Sequence, residues 1–175
     1  DLEQYDASWA ELFQGADAVL HLAADPRPTS GWAALARSNI QLALNVFRAA
    51  EEGGVRRFVF ASSNWVLGGY RFSRERLTSN LPPWPVNPYG AGKLFIEEYG
   101  KNLARRCGMS VISLRIGYYQ AGEDPPGPHM AMGLWGQQMW LGKQDWAQAA
   151  VKSITSPYGG SAVLNIVSRN AGMRW

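Results

Sequence analysis

The sequence predicts an α/β fold, with a parallel sheet covered by helices on both faces. Three observations predict it. Short apolar runs recur at 16–24, 56–62, 109–117 and 161–168. Segments of helical character separate them, and strands alternating with helices of more than about ten residues imply parallel neighbours joined by crossovers. The runs end in "HLAAD", "ASSNW" and "RIGYY", and a parallel sheet would bring all three ends to one crevice.

The elements follow in order. Residues 7–14 are expected to form a short helix, and "ADAVLHLAA" (16–24) a buried strand. In "WAALARSNIQLALNVFRAAEEGG" (32–54), Ile40, Ala43, Leu44, Phe47 and Ala50 recur at helical spacing, and Gly53-Gly54 supplies the stop. "RRFVFAS" (56–62) is the next strand. The helix at 87–108 opens on Asn87, a good N-cap, with Pro88 preset for the first helical position, and it ends at Gly108. "MSVISLRIG" (109–117) is a third strand, a helix is expected near 143–155, and "SAVLNIVS" (161–168) is a fourth strand. Residues 119–142 combine proline, glycine and methionine without clear periodicity. They are expected to form a substrate-side loop or lid, or else a surface connector, within a single domain spanning 1–175.

Composition narrows the function. The chain has 175 residues, 46% hydrophobic and 18% charged, which suits one globular core rather than a disordered segment. No apolar run approaches the roughly 18–20 residues of a membrane span, so no membrane partner is expected. The net charge of +3 is scattered. Arg56-Arg57 and Arg105-Arg106 fall near predicted helix ends or strand starts, where cations are favoured anyway, so no nucleic-acid partner is expected. Cys107 is the single cysteine, which excludes an internal disulfide, and no signal peptide is visible, so a cytoplasmic setting is the default expectation. Eight tryptophans are many for this length, and some rings are candidates for a binding surface as well as for the core.

The chemistry concentrates at Tyr89 and Lys93. Four residues apart, they share one helix face with Cβ atoms about 5–6 Å apart. A free tyrosine has a pKa near 10. A neighbouring ammonium and a helix N-terminus both favour phenolate, so the Tyr89 pKa is expected to fall and the phenol to serve as an acid or base near neutral pH. The same pair is also compatible with a buried tyrosine beside a lysine whose stem lies along apolar surface. The preceding strand end offers Ser62, Ser63 and Asn64, groups able to hydrogen-bond a substrate oxygen or simply to make a turn. A strand-end serine followed by a helix carrying Tyr-x-x-x-Lys is far less common by chance than either alone.

At this point the sequence resembles the extended short-chain dehydrogenase/reductase family, the NAD-dependent epimerase/dehydratases. "DAVLHLAA", "SNIQLALNVFRAAEEGGVRRFVFASSNWVLG", "PYGAGK" and "LRIG" match its elements in order. "YGAGKLFIEEYGKNLA", "WLGKQDW" and "SRNAGMRW" are similar to its uronate dehydrogenase-like branch. The resemblance implies a Rossmann-like doubly wound parallel sheet, here truncated and missing the first strands. It implies NAD or NADP as cofactor, a small sugar-like substrate, and no metal. Ser63 would polarise the substrate oxygen, Tyr89 would move the proton, and Lys93 would hold the ribose hydroxyls. Leu22, Ala23, Ala24, Ile116 and Gly117 would approach the cofactor. Asn64, Trp65 and Tyr118 would face the substrate, and Asn39 would brace the strand ends or be a satisfied core residue.

Two departures from the family pattern shape the expectations. No G-x-G-x-x-G or G-x-x-G-x-x-G occurs in the 175 residues, and the acidic residue that selects NAD is missing with it. That turn brings the pyrophosphate to a helix N-terminus. Asp1-Leu2 resembles the family's adenine-contacting pair, which would place roughly two lost strands just before it. The chain alone is therefore expected to be impaired, and its first strand to be an open edge through which it self-associates. The helix face common to this family is the other candidate homo-oligomer surface. Second, no arginine occurs between 116 and 146; His129 and Lys143 are the basic residues there. A uronate carboxylate calls for a bidentate cation, so the substrate is expected to be other than a plain uronate. Trp65, Trp135 and Trp140 are candidates to stack on a sugar ring or to pack. A noncatalytic remnant of the fold and a small-ligand-binding or self-associating module are the alternatives to an oxidoreductase.

Overall fold

The computed structural model describes residues 1–120 and 125–175. Four parallel strands form the main sheet: β1 (Ala18–His21), β2 (Arg57–Ser63), β3 (Ser110–Ile116) and β6 (Ser161–Ile166), in that spatial order. A two-stranded parallel pair, β4 (Tyr118–Tyr119) and β5 (Trp140–Leu141), lies beyond the end of β3. The helices are α1 (Ala7–Ala10), α2 (Trp32–Leu35), α3 (Leu42–Glu52), α4 (Pro88–Cys107), α5 (Gly133–Gln138) and α6 (Lys143–Thr155). None is long and apolar enough to cross a membrane among the described residues.

Alternation along the central strands builds two cores, because successive side chains leave opposite faces. Phe58 and Phe60 of β2 point to the face covered by α3 and α4, where Phe47 stacks on Phe58 with centroids 3.8 Å apart. Val59, Ile112 and Leu114 point to the opposite face, under Trp146 of α6. Both faces of β2 are buried along its whole length, which is why its sequence reads as a near-continuous apolar run.

The predicted punctuation holds in detail. Asn87 caps α4, its Oδ1 accepting from the Gly90 amide at 2.8 Å, and Pro88 occupies the first turn. Gly108 ends the helix at φ 77°, the left-handed region that favours glycine. The buried Arg57 donates to the carbonyls of Ser153 and Ser156, so this cation finishes the C-terminus of α6.

One expectation needs correction. The helix expected over 32–54 is not one uniform α-helix. Residues Ala36–Gln41 form a π-helical segment between α2 and α3. The wider turn carries Asn39, whose amide bridges both backbone groups of Asp25 and so ties the loop after β1 to the helix. The stretch 119–142 holds Tyr119 of β4, α5 and β5. Its residues 121–124 lie outside the described residues.

Candidate active site

The carboxyl ends of β1, β2 and β3 open into one cleft of about 630 Å³. Register brings the ends of β2 and β3 level, with Ser63 paired with Ile116, while β1 ends at His21 opposite Phe60 and hands over to the loop that carries Leu22 and Ala24. Ser63, Asn64, Trp65, Tyr89, Lys93, Ile116, Gly117 and Tyr118 all line the cleft, together with Leu22 and Ala24 from the loop after β1. Ala23 is the exception. It is exposed and is not among the lining residues, because alternate side chains leaving a strand end face opposite ways.

Two close approaches shape the cleft. A Cβ on Gly90 would lie 2.5 Å from the Trp65 carbonyl oxygen, so glycine lets the first turn of α4 press against the end of β2. A Cβ on Gly117 would lie 2.0 Å from the Met139 carbonyl oxygen, so only glycine permits that crossing beside β5.

Tyr89 is buried in the first turn of α4, and Lys93 is buried one turn on. The Lys93 ammonium donates to the Ala61 carbonyl at 2.7 Å and lies 5.7 Å from the Tyr89 ring centroid. The Ser63 hydroxyl accepts from the Trp65 amide at 3.2 Å. Asn64 is 1% exposed, yet neither its amide oxygen nor its amide nitrogen has a hydrogen-bond partner among the described residues. A buried primary amide without partners is costly, and here it lines the cleft, where a bound molecule would satisfy it.

The electrostatics correct the expectation for Tyr89. Its pKa is raised, not lowered: burial dominates, Ser63 hydrogen bonding opposes it, and the Asp25 carboxylate adds to it. Burial also lowers the Lys93 pKa to about 8, against the pull of Glu97. The ammonium is directed at a carbonyl rather than at the phenol, and it is itself disfavoured by burial. Both effects weaken its pull on Tyr89.

The tryptophans divide. Trp65 and Trp146 line the cleft. Trp135 is buried against Trp175, with centroids 5.3 Å apart, and Trp140 pairs with Tyr118 across β4 and β5. Neither of these two lines the cleft, so packing is their role. His129 is exposed, with Nε2 3.5 Å from the Gln120 amide, and Lys143 is exposed at the start of α6; neither lines the cleft.

Sequence reasoning missed two features. Behind the cleft, Glu97 receives Arg115 through Nε at 2.9 Å and Nη2 at 2.8 Å, and Ser62 Oγ at 2.5 Å. The signal was present: Tyr89, Lys93 and Glu97 recur every four residues, making a polar stripe on the buried face of α4. At the rim, Pro26, Arg27, Pro28 and Thr29 also line the cleft. Nothing in their local pattern marks them, because only the fold carries that loop over the strand ends.

A family model described as the NAD dependent epimerase/dehydratase family matches residues 1–129. The chain is 30% identical over 185 residues to L-arabinose 1-dehydrogenase (NAD(P)(+)) of Haloferax volcanii, covering 97% of this chain and 72% of that protein. It is 35% identical over 142 residues to an NAD-dependent glucose-6-phosphate dehydrogenase of the same organism, covering 75% of this chain and 52% of that one. Among solved structures, a mutated uronate dehydrogenase superimposes with a TM-score of 0.83 at 27% identity, over 100% of this chain and 60% of that chain.

Proposed function

Because this chain belongs to the NAD dependent epimerase/dehydratase family, we propose that it carries the catalytic segment of an NAD(P)-dependent oxidoreductase acting on a sugar-like hydroxyl or carbonyl. The observation that carries this reading is the meeting of Ser63, Tyr89 and Lys93 around the unpartnered Asn64 amide in one cleft. The relatives named for sugar substrates and NAD(P) support it.

The residues present fit the cofactor. Leu22, Ala24, Ile116 and Gly117 form an apolar wall, Ala23 lies beside it on the same loop, and Lys93 has ammonium hydrogens beyond the one given to Ala61. When bound, NAD(P) supplies the hydride acceptor or donor. This chain's residues do the rest. Ser63 donates to the substrate oxygen. In oxidation Tyr89 takes the carbinol proton as the carbon loses hydride; in reduction it returns that proton. Lys93 holds hydroxyl groups and keeps positive charge beside the phenolate as it forms. Asn64, Trp65 and Tyr118 orient the sugar, and the part of 119–142 that reaches the cleft screens it from water.

The glycine-rich pyrophosphate turn is not within these 175 residues, so cofactor affinity and turnover by this chain alone are expected to be impaired. Titration with NADH, followed by its fluorescence, is expected to show weak but saturable binding that Lys93→Met weakens further. A flat titration with the unsubstituted chain would remove the activity reading and leave family membership intact.

A homo-oligomer is part of the proposal. Among the described residues β1 pairs only with β2, and its outer edge is open for another strand. Light scattering is expected to give a mass above that of one chain at micromolar concentration; a monodisperse monomer would contradict this.

A further inference from the structure

We infer that Arg27 is a specificity-determining residue of this cleft, a preset cation that selects sugars bearing a carboxylate or phosphate group. The inference rests on the sugar-dehydrogenase reading of the same cleft and names the substrate class.

Charge comes first. Among the described residues lining the cleft, Arg27 and Lys93 are the only ones with a formally charged side chain, and both are cationic. Lys93 is buried, donates to the Ala61 carbonyl and in the proposed function gives its other hydrogens to hydroxyl groups. Arg27 sits at the rim with its side chain 73% exposed, where a ligand can reach it.

Geometry comes second. A guanidinium has five N–H donors arranged as a planar fork with two usable edges. Asp25 occupies one edge, accepting from Nε at 2.9 Å and from Nη2 at 2.8 Å. The other edge, Nη1 with the second Nη2 hydrogen, makes no hydrogen bond to the described residues. It matches the two oxygens of a carboxylate or phosphate.

Preorganisation comes third. Asp25 is itself fixed, accepting from the Ser30 hydroxyl at 2.7 Å, while Asn39 clamps both its backbone groups. An exposed arginine ordinarily loses much rotamer freedom on binding an anion. Here that loss has already been met by the folded loop. Arg27 lines the same cleft as Ser63 and Tyr89, so the Arg27–Asp25 pair stands at the mouth of the space those groups share. The cation absent from 116–146 thus has a counterpart on a different loop, and the expectation that the substrate is other than a plain uronate no longer follows from that absence.

The test is direct binding, followed by tryptophan fluorescence from Trp65 and Trp146, which line the cleft. The probes are D-glucuronate, D-glucose 6-phosphate and D-glucose. The unsubstituted chain is expected to bind at least one anionic probe roughly tenfold or more tighter than glucose, the weight of a charge-assisted hydrogen-bond pair. Arg27→Met should bring that ratio near one. Arg27→Lys, which keeps the charge and loses the fork, should give an intermediate ratio. The two anionic probes tell carboxylate from phosphate. Equal affinity for all three probes, binding of none, or a preference that survives Arg27→Met would each overturn the inference. Loss of hydride transfer with the preference intact would instead remove the proposed function and leave the anion site standing.

Discussion

Replacing Tyr89 by Phe is expected to lower sugar oxidation by roughly 10²–10⁴-fold, the usual weight of a positioned acid/base group. The fold should survive, because Phe keeps the ring that fills the start of α4, and the urea midpoint checks this. The pH dependence sharpens the prediction. The phenol lies above its ordinary pKa, chiefly through burial. Oxidation needs the phenolate, which takes the carbinol proton and becomes the phenol, so the rate should rise with pH as the phenolate fraction grows. Lys93 acts in the other direction. Its ammonium has a pKa of about 8, and it loses charge as pH rises through that value. The oxidation rate is therefore expected to climb toward pH of about 8 and to gain less, or fall, above it. Tyr89→Phe should flatten the profile as well as lower it, which a purely structural role for the hydroxyl would not do.

Removing Glu97 should produce the largest loss of stability. Glu97 and Arg115 form a bidentate pair whose side chains are 1% and 4% exposed, and Ser62 adds a third bond to the same carboxylate. Arg115 already has one buried nitrogen, Nη1, without a partner among the described residues. Glu97→Ala would leave a full positive charge uncompensated beneath the sheet, and breaking such a pair from one side costs about 3–5 kcal/mol. Urea denaturation should show this as a lower midpoint at similar slope. The paired change Glu97→Leu with Arg115→Met should recover most of the loss, because burial of two charges offsets much of their attraction. The network also touches the cleft: Ser62 precedes Ser63, and Glu97 lies one turn beyond Lys93.

The sequence made some of this legible and hid the rest for physical reasons. Strands β2 and β3 and helix α4 could be read because local signals agree there. The apolar runs are continuous, Asn87-Pro88 opens the helix, and Gly108 closes it. Helix α6 has the bounds its pattern implied. The π-helical segment was not legible, because apolar spacing does not separate it from the α-helix on either side; it carries Asn39, which bonds the Asp25 backbone. The inward placement of Trp135 and Trp140 depends on packing and pairing with distant partners, Trp175 and Tyr118. The direction of the Tyr89 shift went against expectation because spacing reports proximity to Lys93 and says nothing of desolvation, which dominates. Arg27 escaped notice since its loop reaches the strand ends only once the sheet is assembled.

The central claim is that Tyr89 serves hydride transfer from a sugar carbinol. Its most direct test is a single-turnover reaction using a sugar acid deuterated at the oxidised carbon, at protein concentrations comparable to NAD. Deuterium is expected on the nicotinamide and not in water, slowly with this chain, and not at all within the same time with Tyr89→Phe. Equal label transfer by both proteins, or no label on the nicotinamide with the unsubstituted chain, would contradict it.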